Sequence, residues 1–213
     1  EKIGHFLDQE NNRLFKEYHD QGHSNKEISP LIAKNMDIPA ILKNASMDWD
    51  GGYVMAGLIG HGDAFVIRDP NGIRPAFWYE DDEVFVVTSE RPVIQTAFNV
   101  RWENINELKP GHALVIKKDF EFNEVEINPS SNVQKCSFER IYFSRGTDKD
   151  IYKERLMLGN LVTPQVLKSI DHDLKKTVFS FIPNTAEMSY YGMIKATENY
   201  LAGVKKKKIQ ELD

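Results

Sequence analysis

The sequence predicts an α+β fold over residues 1 to about 135, followed from residue 136 by the opening of an α/β unit. Three observations predict this. Residues 1–45 repeat apolar positions at helical spacing. From Asp50 to Lys118, short runs rich in β-branched and aromatic residues follow one another, punctuated by Gly, Pro, Asn and Asp. Beyond a polar stretch at 123–135, a strand-like run leads through a tight loop into a helix-like segment, which is how an α/β unit opens.

Ile3, Phe6, Leu7, Leu14, Phe15 and Tyr18 give the first helix, over 1–19, ended near Gly22. Ile28, Leu31 and Ile32 give a second over Asn25 to Asn35, with Pro30 placed in its first turn, where a missing N–H does no harm. Residues 36–45 predict a third, short helix with Pro39 near its start. The strand-like runs are GGYVMAGLIG, DAFVIRD, RPAFWYE, EVFVVTSE and HALVIKK. No long helix intervenes, so they predict an antiparallel sheet. GGYVMAGLIG is apolar on both parities and is expected as a central strand covered on both faces. Asp69 to Gly72 make a turn in which Gly72 is free to take positive φ, and Glu80 to Glu83 make a charged hairpin tip. SERPVIQTA reads as a short helix, with Ser89 as a possible cap and Pro92 in the first turn. The polar stretch 123–135 is the expected boundary. After it come a mixed apolar segment (CSFERIYFSR), a helix over 150–170, a buried strand (TVFSFIP) and a loop entering a last helix.

The 213 residues, with a net charge of −5 and 41% hydrophobic content, have an ordinary globular composition. The mild acidity excludes a dedicated nucleic-acid surface, and Lys205 to Lys208 read as a solvated run. No apolar run approaches the ~20 residues that span a membrane. One cysteine, Cys136, cannot close an internal disulfide, and a reducing, cytoplasmic setting is expected. The chain starts at Glu1 inside a helix-like segment and stops after another, so both ends are expected to continue.

RDPNGIRPAF (Arg68 to Phe77), TSER (Thr88 to Arg91), ELKPGHALVI (Glu107 to Ile116), CSFERIYFSR (Cys136 to Arg145) and VFSFIPNTAE (Val178 to Glu187) resemble, in order and at similar spacing, segments of the glutamine phosphoribosylpyrophosphate amidotransferases. The resemblance covers residues 50 to about 195. Relatives that share only the glutaminase domain, such as asparagine synthetases, are not expected to continue into Cys136 to Arg145. The sequence departs from the family pattern at Gly146, Thr147 and Asp148, where proline–aspartate–serine is usual, and at Asn184, where an acid is common. These departures leave a divergent, non-catalytic paralogue that binds a nucleotide or phosphoribosyl ligand as the alternative.

The resemblance implies that residues 1–135 form the C-terminal portion of an N-terminal-nucleophile glutaminase sandwich, and that 136–213 form the linker and first strand–loop–helix of a phosphoribosyltransferase domain. It also implies a homo-oligomer and two substrates in the full chain, glutamine and phosphoribosylpyrophosphate. The glutaminase nucleophile is expected upstream, and an acidic pair beyond Asp213. The chain alone is therefore expected to be inactive, and to need self-association or a partner segment to cover open sheet edges. What remains is a pyrophosphate loop, Asn184, Thr185, Ala186 and Glu187. There, backbone N–H groups and a helix N-terminus would meet the anion, and the Thr185 hydroxyl would lie nearest the Mg²⁺ on the substrate. A plain helix cap is the competing reading.

Other candidates carry plainer explanations. Asp69 and Arg74 read as a turn aspartate and a hairpin lock, and Glu90 as a residue of a helix start. Cys136 stands where some family members place an iron–sulfur ligand, but a cluster takes four thiolates and the chain has one. His5, His19, His23, His61, His112 and His172 show no metal-ligand spacing.

Overall fold

The computed structural model describes residues 1–130 and 132–212; Ser131, within the expected boundary, and Asp213 lie outside the described residues. The chain divides into two compact units, Glu1–Cys136 and Ser137–Asp213.

The first unit opens with helices α1 (Lys2–Asp20), α2 (Asn25–Asn35) and α3 (Ile38–Ser46). Local chemistry sets their starts. The Glu27 carboxylate accepts the Ser24 backbone N–H at 2.8 Å, and the Asp37 carboxylate caps Ala40 N–H at 3.0 Å. Pro30 is not in the first turn as expected; it lies inside α2. It costs the helix one N–H, yet Ile28 and Ile32 on the same helix are 0% and 7% exposed, and their burial offsets that loss.

Seven strands follow: β1 (Val54–Leu58), β2 (Ala64–Arg68), β3 (Phe77–Glu80), β4 (Phe85–Thr88), β5 (Asn106–Glu107), β6 (His112–Ile116) and β7 (Phe122–Glu126). They form two antiparallel sheets, sheet A in the order β1-β2-β6-β7 and sheet B in the order β4-β3-β5. Side chains alternate along each strand, and the two parities of sheet A go to different layers. Phe65, Ile67, Ala113 and Val115 pack with Leu14, Ile28, Ile38 and Leu42 of the helices. Val66 and Leu114 pack with Trp78, Phe85 and Val87 of sheet B. The order is thus helices, sheet A, sheet B, with α4 (Arg91–Phe98) against β3 and β4.

Among the described residues GGYVMAGLIG does not supply a central strand: its strand part, β1, lies at an edge of sheet A, and β2 and β6 are the central pair. The apolar parities were still informative: Met55 packs on the helix side and Val54 on the sheet B side. Apolar residues on both parities report two covered faces, whereas hydrogen-bond order is a separate matter. The polar boundary is also trimmed, because residues 122–126 form β7. Phe122 packs in the sheet B layer and Val125 in the helix layer, so β7 carries one apolar residue on each parity, with Asn123 and Glu126 exposed. Ser89 does not cap α4; the N-cap is Glu90, with Pro92 in the first turn.

In the second unit, Glu139–Phe143 form a single π-helical turn, followed by α5 (Lys149–Ser169) and α6 (Glu187–Gln210). The Asp148 carboxylate caps α5 by accepting Asp150 N–H (2.9 Å) and Ile151 N–H (3.2 Å). α5 and α6 cross closely because of two glycines. A Cβ on Gly159 would fall 1.8 Å from Ser189 O, and one on Gly192 would fall 2.0 Å from Leu156 O. The expected buried strand TVFSFIP is not formed: residues 178–182 have no strand structure, and Val178 and Ile182 are 92% and 82% exposed. A strand needs ladder partners, and the described residues of this unit contain no other strand.

Candidate functional site

Asn184 to Glu187 form one turn at the entrance to α6, after a cis Pro183–Asn184 peptide. Asn184 is exposed, and Thr185, Ala186 and Glu187 are half-buried. The Asn184 carbonyl accepts Glu187 N–H at 3.3 Å, closing the turn, and Ala186 is the N-cap of α6 without a side-chain cap bond. The Thr185 hydroxyl makes no hydrogen bond among the described residues, so it is available to a ligand. α6 follows with 24 residues, and the first N–H groups of a helix have no intrahelical acceptor. An anion at this turn would meet those donors and the positive end of the helix dipole.

One feature opposes anion binding. Glu187 is itself negative and stands in the first turn, where it already satisfies the dipole. Its carboxylate is turned along the helix and accepts the Tyr191 hydroxyl at 3.0 Å; that bond raises the Tyr191 phenol above its ordinary range. The turn is braced from behind, with the Phe181 and Tyr190 rings 4.9 Å apart at 34° and Tyr190 Oη reaching Phe179 O at 3.5 Å.

Beside the turn lies a groove of 710 Å³ between α5, α6 and residues 180–182, lined by Leu158, Val162, Phe181, Ala186 and Met193 among others. Its lining is apolar, so a phosphate belongs at the turn and not inside the groove. Sequence reasoning missed both the groove and its cause; the signal was a glycine on each of two helix-patterned segments, Gly159 and Gly192. It also missed Arg155. This guanidinium is 5% exposed and donates through Nη2 to Arg140 O (3.1 Å) and Ser144 O (2.6 Å), tying the π-helical turn to α5. Its Nε has no hydrogen-bond partner among the described residues, and burial lowers its pKa.

The other sequence candidates fall in the first unit as structural groups. Asp69 is fully buried and its carboxylate accepts three backbone N–H groups, from Asn71 (3.1 Å), Ile73 (2.9 Å) and Arg74 (3.1 Å). Arg68, 1% exposed, donates to Arg74 O (2.7 Å), Gly72 O (3.3 Å), Glu107 Oε1 (3.0 Å) and Leu108 O. Gly72 takes φ +64°, as the turn demands. The family-like segment Arg68 to Phe77 is therefore locked by its own side chains. Cys136 is half-buried with a free thiol, and one thiolate does not fit an iron–sulfur cluster. Among the described residues no group of three or more His, Cys, Asp or Glu could hold a metal. No helix among them is long and apolar enough to cross a membrane.

No protein-family model matches the sequence. Known structures share its fold. The chain superposes on a glutamine phosphoribosylpyrophosphate amidotransferase from B. subtilis complexed with ADP and GMP with a TM-score of 0.56 and 22% identity, over 88% of this chain and 41% of that one. A structure described as the allosteric regulatory enzyme of purine biosynthesis gives a TM-score of 0.53 over 87% of this chain and 40% of that one. The architecture is therefore that of part of a phosphoribosylpyrophosphate amidotransferase.

The sequence agrees. The chain is 31% identical over 163 residues to the amidophosphoribosyltransferase of Lachancea kluyveri, matching 71% of this chain and 31% of the relative. It is 30% identical over 148 residues to the amidophosphoribosyltransferases of Saccharomyces cerevisiae and Escherichia coli, matching 64% of this chain and 28% of each. The chain is a relative of the amidophosphoribosyltransferases, and it spans about a third of their length or less.

Proposed function

We propose that these residues belong to a glutamine-dependent amidophosphoribosyltransferase of the cytoplasm. In it, glutamine-derived ammonia displaces pyrophosphate from C1 of phosphoribosylpyrophosphate: the C1–N bond forms, the C1–O bond breaks, and phosphoribosylamine results. Residues 1–135 would be the C-terminal portion of the glutaminase domain, and 136–213 the linker and the opening of the transferase domain. The observation that carries this reading is the turn at Asn184 to Glu187, with its uncommitted Thr185 hydroxyl directly ahead of a 24-residue helix, at the end of a segment similar to the family's pyrophosphate loop.

In this role, backbone N–H groups of the turn and of the first turn of α6 would orient the pyrophosphate oxygens. The donors fit Mg²⁺ carried on the substrate, because Mg²⁺ is bound mainly through phosphate oxygens and waters and asks only the Thr185 hydroxyl of this turn. Such an ion neutralises the departing pyrophosphate. The glutaminase step needs an activated cysteine nucleophile. Cys136 is the one thiol and follows the sheets, so these residues alone are expected not to turn over, and the active species is read as a homo-oligomer of the full enzyme. The departures at Gly146 to Asp148 and Asn184 favour the divergent, ligand-binding paralogue as the second reading.

Isothermal titration with phosphoribosylpyrophosphate and Mg²⁺ tests the site. Binding that weakens at least tenfold in Thr185→Ala is expected; equal affinity in wild type and variant would remove Thr185 from the site. The reading frame on both sides decides between catalyst and paralogue. A Met-Cys start upstream and an aspartate pair before a threonine-rich loop downstream support the enzyme, and their absence supports the paralogue.

A further inference from the structure

Arg155 is a buried cation without a matching anion. Its guanidinium is 5% exposed, and among the described residues no carboxylate pairs with it. Burial lowers its pKa, and no acid acts against that, the buried Asp148 and Glu139 of the same unit included. Asp148 instead accepts Asp150 N–H and Ile151 N–H at the start of α5. A charge taken out of water without a partner is costly, so such a group marks a place where an anion would be stabilised.

Two backbone carbonyls hold the guanidinium in place. Nη2 donates to Arg140 O and Ser144 O, which takes both of its protons. Nε is closed off from solvent and has no acceptor among the described residues. Nη1 makes no hydrogen bond among them either, and it lies beside Gly146. A Cβ built on Gly146 would fall 3.5 Å from Arg155 Nη1 and 3.4 Å from Met188 Cγ, and it would meet no other atom within 4 Å outside the adjoining residues. Met188 is the second residue of α6. Gly146 and Met188 are half-buried, so solvent reaches the space between them.

That space separates a buried cation from the first turn of α6, where unbonded N–H groups carry the positive end of the helix dipole. Two positive features side by side repel unless an anion joins them. Glu187 does not do so, because its carboxylate is turned along the helix to the Tyr191 hydroxyl at 3.0 Å. We propose that Arg155 Nη1, Gly146 and the first turn of α6 form a binding site for a phosphate group. Nη1 gives charge-assisted hydrogen bonds to its oxygens from one side, and the helix N-terminus faces them from the other. A dianion matches two positive features better than a single carboxylate does. Gly146 decides access: the family's usual proline would carry a Cβ against Nη1, and glycine leaves that donor open. The charge comes from α5, so the site does not depend on the Thr185 hydroxyl.

Titration with inorganic phosphate at constant ionic strength, followed by proton–nitrogen correlation NMR, tests this on wild type, Arg155→Met and Gly146→Ala. The expected result is a saturable shift of the Arg155 Nε–H and of the Gly146 and Met188 amides in wild type. Binding should vanish in Arg155→Met and weaken about tenfold in Gly146→Ala. Gly146 is not among the positive-φ glycines and its added methyl meets only ordinary contact distances, so Gly146→Ala keeps the fold and decides should Arg155→Met unfold. No saturable shift in wild type overturns the site, and so does equal affinity in wild type and Gly146→Ala, which would put the phosphate elsewhere. A second arm with phosphoribosylpyrophosphate and Mg²⁺ identifies the source. Weaker binding in Gly146→Ala makes the phosphate one of that molecule's own; unchanged binding beside a lost phosphate response makes it a separate ligand. Failure of the phosphate arm leaves the Thr185→Ala titration to stand or fall by itself.

Discussion

Asp63 shows how one buried charge can be held by its surroundings. It is 2% exposed, and burial by itself pushes its pKa up. Lys117 Nζ, His61 Nε2 at 3.0 Å and the Lys118 N–H at 3.0 Å more than reverse that, leaving the carboxyl below its usual range. A folded-state pKa below the unfolded one gives stability that is present above the unfolded value of ~3.9 and lost as pH falls through the folded value. Asp63→Asn is expected to cost about 3 kcal/mol at neutral pH, because Lys117 is left half-buried without its charge partner. Chemical denaturation should show the gap between the two proteins closing in acid below pH ~4, as wild-type Asp63 protonates. A gap independent of pH would assign the loss to packing. Asp69→Ala removes the acceptor of three buried amides and should cost about 3 kcal/mol in the same assay. Normal stability of the first unit in that variant would refute the turn-lock account of Arg68 to Phe77.

The helix pair α5–α6 depends on the absence of two side chains. Gly159→Ala or Gly192→Ala puts a methyl into opposing backbone, and neither helix has a flexible side chain there to move aside. Each should destabilise the second unit by about 2 kcal/mol or more, read as a lower thermal midpoint of its helical signal. Gly203, also within α6, meets nothing within 4 Å of an added Cβ, so Gly203→Ala should instead stabilise by about 1 kcal/mol. If all three behaved alike, helix propensity and not the crossing would be the cause. The helices were legible in sequence because apolar spacing and caps are local: α2 runs from Asn25 to Asn35 as expected. Details set by neighbours were not. Pro30 sits inside α2 because Ile28 and Ile32 are buried against other elements, and Glu90, not Ser89, caps α4.

At the scale of the whole molecule, the chain divides into two compact units. The first is a layered core whose family-like turn segment is structural, and the second presents the candidate anion turn at the start of α6. The Thr185 and Asp69 substitutions probe the two units independently, the first through ligand affinity and the second through stability. Losing both properties with either substitution would signal misfolding.

Local sequence by itself determined the helices, the strand-forming runs between Asp50 and Lys118 and the Asp69–Gly72 turn, and it put forward the four residues of the candidate site, because periodicity, turn chemistry and a contiguous motif are all short-range. Which strand is central, whether Val178–Ile182 pairs, and how closely α5 meets α6 were decided by tertiary structure alone. Strand order depends on ladder partners distant in sequence, such as β2 with β6, and a helix crossing depends on backbone atoms of another segment, such as Ser189 O against Gly159. No window of residues around β1 or Gly159 contains that information.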